Sequence, residues 1–152
     1  MITGKLSKRI IVDRLDWVDR MLAEINALPI KSEAEFLSDS RNIWAAESCL
    51  RRALEALFDL GRHILAKGFG KGVTEYKEVA AGLLAQKVLS ASEADLLYKM
   101  AGYRNRLVHF YHDVSPGELY EVCTFHLDDV MALSNAFRVW IRNHPEMMDE
   151  NL

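Results

Sequence analysis

Hydrophobic and polar residues alternate along this chain with the period of amphipathic helices. Over residues 11–25 apolar side chains recur every three or four positions with charged residues between them, which places one apolar stripe on a helix that should end near Pro29. A second helix is predicted from residues 38–40 to Gly68. Its apolar stripe is wider, so we expect this helix to be covered on more than one side and to form the centre of a bundle.

The second half of the chain predicts three more helices. The third spans residues 76–88, and the fourth starts at a serine cap, residue 90 or 92, with carboxylates in its first turn. The last is one long helix that includes residues 119–140 and is stopped by Pro145. Between the second and third helices, the segment "KGFGKGVTEYKE" follows a helix and lacks the spacing of a phosphate-binding loop, so it predicts a flexible connector.

These elements define the expected fold. No run alternates with period two for long enough to predict a sheet, so the fold class is all-α, a single antiparallel bundle of about five helices. Residues 1–145 should form the domain, and residues 146–152 a frayed tail. Apolar stripes on several helices leave a face for a partner, and a homodimer is its simplest use.

Composition narrows the class of protein. The chain has 152 residues, half of them hydrophobic, and a formal net charge of −3, which argues against a surface that is basic throughout and binds nucleic acid everywhere. No apolar run approaches the roughly 20 residues of a membrane span, so a cytoplasmic protein is expected. Cys49 and Cys123 fit no metal-binding spacing, and neither a metal nor a cofactor is predicted.

The stretch "YRNRLVHFYHDV", residues 103–114, concentrates the candidate chemistry. If the fourth helix runs through it, Asn105 and His109 lie about 40° apart on the helix and His112 continues the same face, whereas Arg104 lies about 140° from His109. Arg104 would therefore need a helix end or a second subunit to reach the histidine. The nearest acids are Asp113 and a glutamate at 118, so the stretch is locally basic.

Residues of these types suit cleavage of a phosphodiester without a metal ion. Histidine can remove a proton from a ribose 2′-hydroxyl or protonate a leaving oxygen, and arginine presents a fork of donors to the phosphate. A symmetric dimer would supply a second histidine. The same residues are also typical of a helix end whose basic side chains bind the last carbonyl groups, with no catalysis. Spacing alone does not separate the two interpretations.

The order of the elements and the motif "RNRLVHFY" resemble the HepT-like toxins, a family of HEPN-superfamily ribonucleases with an R-x4-H-x-Y signature. Here the signature corresponds to Arg104, His109 and Tyr111, with Asn105 beside the arginine. The resemblance covers nearly the whole chain and is weakest before Asp39 and after Pro145.

The resemblance implies an all-α homodimer that cuts RNA without a metal at a cleft between its subunits. Arg104 would orient and neutralise the phosphate, His109 would act as general acid or base, and Asn105 would support them. The implied partner is a small nucleotidyltransferase antitoxin that transfers AMP to Tyr111 and so inactivates the toxin through added bulk and negative charge.

Several assignments stay open at the level of sequence. Arg106 is either a second phosphate ligand or a solvent-facing arginine, and His112 is either part of the site or a loop histidine. His63 lies in a helix that is expected to be buried and is interpreted as a hydrogen-bonded structural residue. The competing function is a non-catalytic helical module, associated with a nucleotidyltransferase, that binds a nucleotide or a protein partner through Arg104 and His109.

Overall fold

The apolar stripe of the first helix is buried as the pattern predicts. The computed structural model describes residues 5–149, apart from the side chain of Tyr111. Helix α1 (Lys8–Asn26) begins where the Ser7 hydroxyl accepts a hydrogen bond from the amide of Ile10. Its stripe packs along helix α3 (Ser40–His63), which forms the centre of the molecule.

The second predicted helix is found as α3 (Ser40–His63), which continues into a π-helical turn (Ile64–Gly68). The carboxylate of Asp39 caps it, and a short helix that the pattern did not predict, α2 (Glu33–Leu37), precedes it. Helix α3 also contacts α2 and three later helices, α4 (Tyr76–Ala85), α5 (Ala91–Leu107) and α7 (Pro116–Phe125). Its prediction as the central helix of the bundle is therefore confirmed.

The remaining helices differ from their predicted bounds at the end of the third predicted helix, at the end of the fourth and within the last. They are α4 (Tyr76–Ala85), α5 (Ala91–Leu107), α6 (Phe110–Asp113), α7 (Pro116–Phe125), α8 (Leu127–Arg142) and a 3-10 turn (Pro145–Met147). Helix α4 ends before residue 88 because Lys87 has φ 61°, a left-handed backbone that a helix does not contain. Helix α5 begins at the predicted serine, Ser90, which forms a capping box with Glu93.

The predicted long last helix is broken in two at His126. This residue has φ −123° and ψ 3°, outside the helical region, and it separates α7 from α8. Asp128 and Asp129 stand in the first turn of α8, where carboxylates interact favourably with free amide groups, and Asp129 lies 3.5 Å from the imidazole of His126. The continuous apolar stripe concealed this break, because the stripe carries on across it.

The prediction of a frayed tail does not hold for residues 146–149. The amide of Leu6 donates to the carbonyl of Met147 at 2.8 Å, and the amide of Asp149 donates to the carbonyl of Leu6 at 2.9 Å. Met147 is buried against Gly68, where an added Cβ would lie 2.8 Å from the methionine Cε. Packing at this glycine and the hydrogen bonds to Leu6 therefore hold residues 146–149 in place. Residues 150–152 lie outside the described part of the chain.

The all-α fold class is confirmed for the described residues. Residues 5–149 contain helices and one isolated bridge between Leu6 and Met148, with no strand. None of the helices in this range is long and apolar enough to cross a membrane. Cys49 and Cys123 are free thiols, and burial raises the pKa of Cys123 to about 12.

Candidate active site at the end of helix α5

His109 lies in a break between two helices. Helix α5 ends at Leu107 and α6 starts at Phe110, and His109 has φ −114° and ψ 48°. Its carbonyl oxygen accepts hydrogen bonds from the amides of His112 at 2.9 Å and Asp113 at 2.8 Å. These bonds form the first turn of α6. The imidazole is exposed to solvent, in a position that a substrate can reach.

The helical face expected for Asn105, His109 and His112 is therefore not formed. The prediction assumed that α5 continues through the motif, but the regular 100° step between residues stops at Leu107. The structure does have a helix end near His109, which is the alternative that the sequence left open for Arg104.

Arg104 is half-buried and held by two neighbouring helices. Its Nη2 lies 3.2 Å from Oε1 of Glu55 on α3, and its guanidinium carbon lies 4.5 Å from the ring centre of Tyr76 on α4. The side chain is 20% exposed, and its Nε has no hydrogen-bond partner among the described residues. The arginine is thus fixed in orientation while part of its fork faces solvent.

Glu55 is shared by two arginines. Its Oε1 lies 3.4 Å from Nη1 of Arg51, which also pairs with Glu47 at 3.0 Å. Desolvation by burial acts to lower the pKa of Arg51, but the hydrogen bonds and charges of Glu47 and Glu55 together outweigh it and raise the pKa. Arg51 is therefore part of the charge network behind Arg104, whereas Arg52 bonds to Ser48.

Asn105, the residue after Arg104, is exposed. It lines an open cavity of about 390 Å³ together with the N-terminal end of α4 and the residues before it, Thr74, Glu75, Tyr76 and Lys77. Tyr76 thus contacts Arg104 and also lines the cavity beside Asn105. The connector "KGFGKGVTEYKE" ends at this cavity.

Arg106 is exposed but bound to protein groups. Its guanidinium forms a bidentate pair with the Glu118 carboxylate at 2.7 and 2.8 Å and donates to the carbonyl of Asp113. The pair raises the pKa of Arg106, because hydrogen bonds to Glu118 favour the charged form. These contacts link the last turn of α5 to Asp113 of α6 and to Glu118 of α7. The sequence did not predict this structural role.

His112 lies on the rim of a larger cavity of about 620 Å³ between α3 and the α6–α7 segment. The floor of this cavity is apolar: Trp44 and Phe110 meet edge to face with ring centres 6.3 Å apart. Trp44 remains 58% exposed, and Val108, the residue before His109, is 49% exposed. Tyr111 belongs to α6, and its side chain lies outside what the structure describes.

The described residues contain no group of three or more His, Cys, Asp and Glu side chains that could hold a metal ion. His63 accepts a hydrogen bond from the amide of Ser7 at 2.9 Å through Nε2, as expected of a structural histidine. It lies at the end of α3 and takes no part in the candidate site.

Comparison with known proteins identifies the family. The family described as "Ribonuclease HepT-like" matches residues 18–137, a range that includes the whole motif from Arg104 to Tyr111. The chain belongs to the HepT-like ribonucleases. The resemblance seen in "RNRLVHFY" is thereby confirmed at the level of the family.

One relative of the HepT-like chain is a tRNA nuclease HepT from Aphanizomenon flos-aquae. The two are 30% identical over 119 residues, which cover 78% of this chain and 80% of the relative. The match thus extends over most of both proteins.

Solved structures share the fold of the HepT-like chain. A tri-AMPylated HEPN toxin of Shewanella oneidensis, in complex with an MNT antitoxin, superposes with a TM-score of 0.76 at 22% identity, over 86% of this chain and 97% of the toxin. The cytosolic protein YutE of Bacillus subtilis, of unknown function, superposes with a TM-score of 0.78 at 20% identity, over 98% and 99%.

Sequence reasoning missed two residues of the site in this HepT-like chain, Glu55 and Tyr76. The spacing of four residues between Arg51 and Glu55 on a helix predicts their ion pair. Glu55 and Arg104, however, are 49 residues apart in sequence, so no local pattern indicates that they pair. Tyr76 stands at the start of α4 with no motif around it. Both contacts depend on how α3, α4 and α5 pack, which a local pattern does not contain.

Proposed function

We propose that this HepT-like chain is the toxin of a toxin–antitoxin pair and that it cuts RNA, tRNA in particular, without a metal ion. The observation that carries the proposal is the family match over residues 18–137, which includes Arg104 and His109. The choice of tRNA follows the Aphanizomenon relative, which bears the name of a tRNA nuclease. The exposed imidazole of His109 and the oriented guanidinium of Arg104 support the chemistry.

The proposed reaction is attack of a ribose 2′-oxygen on the adjacent phosphorus. His109 accepts the proton of the 2′-hydroxyl as the new P–O bond forms, and the bond to the 5′-oxygen breaks as an acid protonates that oxygen. Arg104 binds the phosphate and the negative charge that builds on it in the transition state. Asn105 supports the phosphate from the neighbouring cavity.

One chain supplies one His109, so we propose that the active form is a homodimer in which the second copy provides the acid. The exposed apolar side chains of Val108, next to His109 in sequence, and of Trp44, which contacts Phe110, support this, because exposed large apolar side chains near a polar site are typical of an interface. Partial recovery of cleavage after mixing Arg104→Ala and His109→Ala chains would support a shared site.

The proposed regulator is a nucleotidyltransferase antitoxin that attaches AMP to Tyr111. Support comes from the position of Tyr111 two residues after His109 and from the Shewanella toxin of the same fold, which is AMPylated. Coexpression with a nucleotidyltransferase antitoxin should add AMP-sized mass to the peptide that contains Tyr111 and should add none in Tyr111→Phe. If Tyr111 stays unmodified in the presence of an active transferase, the proposed regulation is refuted.

The decisive test is incubation of purified protein with tRNA in EDTA. Wild-type protein should degrade tRNA, while His109→Ala and Arg104→Ala should not. His126→Ala is the matched control, because His126 is also an exposed histidine at a break between two helices. Intact tRNA with the wild type, combined with tight binding of a nucleotide, would favour the non-catalytic module, and full activity of His109→Ala would refute the proposed mechanism.

A further inference from the structure

Tyr76 joins three helices at the back of the candidate site. It is the first residue of α4, and its half-buried ring packs against Phe58 of α3 with ring centres 4.8 Å apart. Two guanidinium carbons lie 4.5 Å from the ring centre, one from Arg62 of α3 and one from Arg104 of α5. One aromatic ring therefore contacts the core and two cations.

The position of the ring is determined by the core. Phe58 is fully buried, so the surface on which Tyr76 packs is fixed. Arg62 is held in turn by the carbonyl of Thr74 and by Asp59 at 3.8 Å. Because the ring is already in contact with Phe58 and two guanidinium groups, it is poorly suited to stack on an RNA base.

The contact of the Tyr76 ring with Arg104 takes the place of a hydrogen bond to the guanidinium. The Nε atoms of Arg104 and Arg62 are both buried and have no hydrogen-bond partner among the described residues. The face of an aromatic ring carries partial negative charge and attracts such cations, and N–H groups can point at it. Glu55 binds only Nη2 of Arg104, so the ring is the second contact that orients the guanidinium.

We propose that Tyr76 is a positioning residue for Arg104 in RNA cleavage, an inference that rests on the proposed function. An arginine has many rotamers, and each one that the protein excludes lowers the entropic cost of reaching the transition state. The ring keeps the guanidinium in one place beside Glu55, while the Arg104 side chain stays 20% exposed to solvent. Its aromatic face, and not its hydroxyl, performs this role.

Cleavage kinetics of three variants test the role. Tyr76→Leu removes the ring and should lower kcat by about ten- to a hundredfold, the range expected when a catalytic group is displaced by about an ångström. Tyr76→Phe keeps the ring and should retain kcat within about twofold of wild type, as a ring-based contact requires. Tyr98→Leu is the matched control, because Tyr98 also lies under a cation, Lys77 at 5.2 Å, but does not contact Arg104.

The expected loss is in kcat and not in binding. Affinity for an RNA oligonucleotide methylated at every 2′-oxygen, which cannot be cut, should change much less than kcat in Tyr76→Leu. A loss in Tyr76→Leu no larger than in Tyr98→Leu would overturn the inference. So would an equal loss in Tyr76→Phe, since that would assign the effect to the hydroxyl.

A spectroscopic measurement tests the contact without any cleavage. In ¹⁵N NMR spectra the Nε–H signal of Arg104, assigned with Arg104→Lys, should be displaced by the ring current and exchange slowly in wild type and Tyr76→Phe. It should lose both properties in Tyr76→Leu and in Tyr76→Met, whose longer side chain refills the space if leucine unfolds the protein. An unchanged signal in a folded ring-free variant would overturn the inference. If wild-type protein cuts no RNA, the proposed function fails, and the NMR result alone decides whether the ring orients Arg104.

Discussion

Oε1 of Glu55 lies 3.2 Å from Nη2 of Arg104 and joins the middle of α3 to the last turn of α5. The same oxygen lies 3.4 Å from Arg51, so one carboxylate faces two guanidinium groups. A phosphate binds arginine through the same donors that a carboxylate uses. Under the proposed function, RNA must share Arg104 with Glu55 or displace the glutamate, which makes Glu55 an internal competitor for the substrate.

Replacement of Glu55 by glutamine should tighten RNA binding. The amide keeps the shape of the side chain and removes the charge that competes for Arg104. Both side chains are partly exposed, so the expected gain is modest, at most about fivefold in Kd, since such pairs contribute about 0.2–1 kcal/mol. Fluorescence anisotropy with a fully 2′-O-methylated RNA at fixed salt concentration measures it.

Glu47→Gln is the control for this experiment. Glu47 also lies on α3 and pairs with Arg51 at 3.0 Å, but Arg104 does not contact it. The Kd of this variant should match that of the wild type more closely than Glu55→Gln does. Weaker RNA binding by Glu55→Gln would contradict the competition and show that the carboxylate helps to hold Arg104 for its ligand.

Arg106 should contribute to folding and little to RNA binding. Its bidentate pair with Glu118 and its bond to the Asp113 carbonyl tie the end of α5 to α7. Arg106→Ala should lower the free energy of unfolding by about 1 kcal/mol or less, because the guanidinium is 45% exposed and solvent screens the pair. Urea unfolding of Arg106→Ala, Glu118→Ala and the double variant should show non-additive losses. A drop in RNA affinity as large as that of Arg104→Ala would instead make Arg106 a phosphate ligand.

The helices and the motif could be read from the sequence because both are local. The stripe of apolar residues over 11–25 and the capping pair of Ser90 and Glu93 each specify a helix by contacts within a few residues. The residues of "RNRLVHFY" are contiguous, so their resemblance to a family needed no tertiary structure. These are the predictions that the structure and the family match confirm.

What could not be predicted depends on packing between distant segments. The break at His109 is stabilised by Arg106, which reaches Asp113 and Glu118 beyond it, and no local signal such as glycine marks it. The break at His126 lies within a continuous apolar stripe. Contacts of Arg104 with Glu55 and Tyr76 require three helices to be placed first. The candidate residue Arg104 was visible in the sequence, whereas the groups that contact it were not.

Gly61 should be intolerant of even one methyl group. An added Cβ would lie 2.7 Å from Cγ1 of Val79 and 3.2 Å from Cδ1 of Leu83, both fully buried on α4. Gly61→Ala should therefore destabilise the protein by about 1–3 kcal/mol despite the better helix propensity of alanine, as overpacking of cores does. Thermal and urea unfolding measure the change.

Gly102 provides the matched comparison for Gly61. It also lies inside a helix, α5, but an added Cβ would meet no atom within 4 Å. Gly102→Ala should stabilise the protein by about 0.5–1 kcal/mol, the usual gain from replacing a helical glycine. Equal effects of the two substitutions would show that α3 and α4 are not packed as closely as their side chains indicate.

Stability should fall in mild acid because of His63. Burial lowers the pKa of this imidazole below its usual 6.5, with further lowering by the nearby charges of Lys67 and Arg14, against an opposing influence of Asp149. The folded state thus favours the neutral ring, whose Nε2 accepts the Ser7 amide at the start of α1. A group whose pKa is lower in the folded state binds fewer protons there than in the unfolded chain. Its stabilising contribution is therefore complete above pH 6.5 and is lost as the pH falls from 6.5 toward the lowered pKa.

The variant His63→Gln isolates this contribution, because a glutamine oxygen can accept the same amide at any pH. The free energy of unfolding, measured by urea at intervals from pH 8 to pH 5, should decrease toward acid more steeply in wild type than in His63→Gln. The excess slope can reach at most about 1.4 kcal/mol per pH unit for a single proton. The other histidines are present in both proteins and cancel in the difference. Parallel curves would mean that protonation of His63 leaves its contact with α1 intact, contrary to the acceptor role of Nε2.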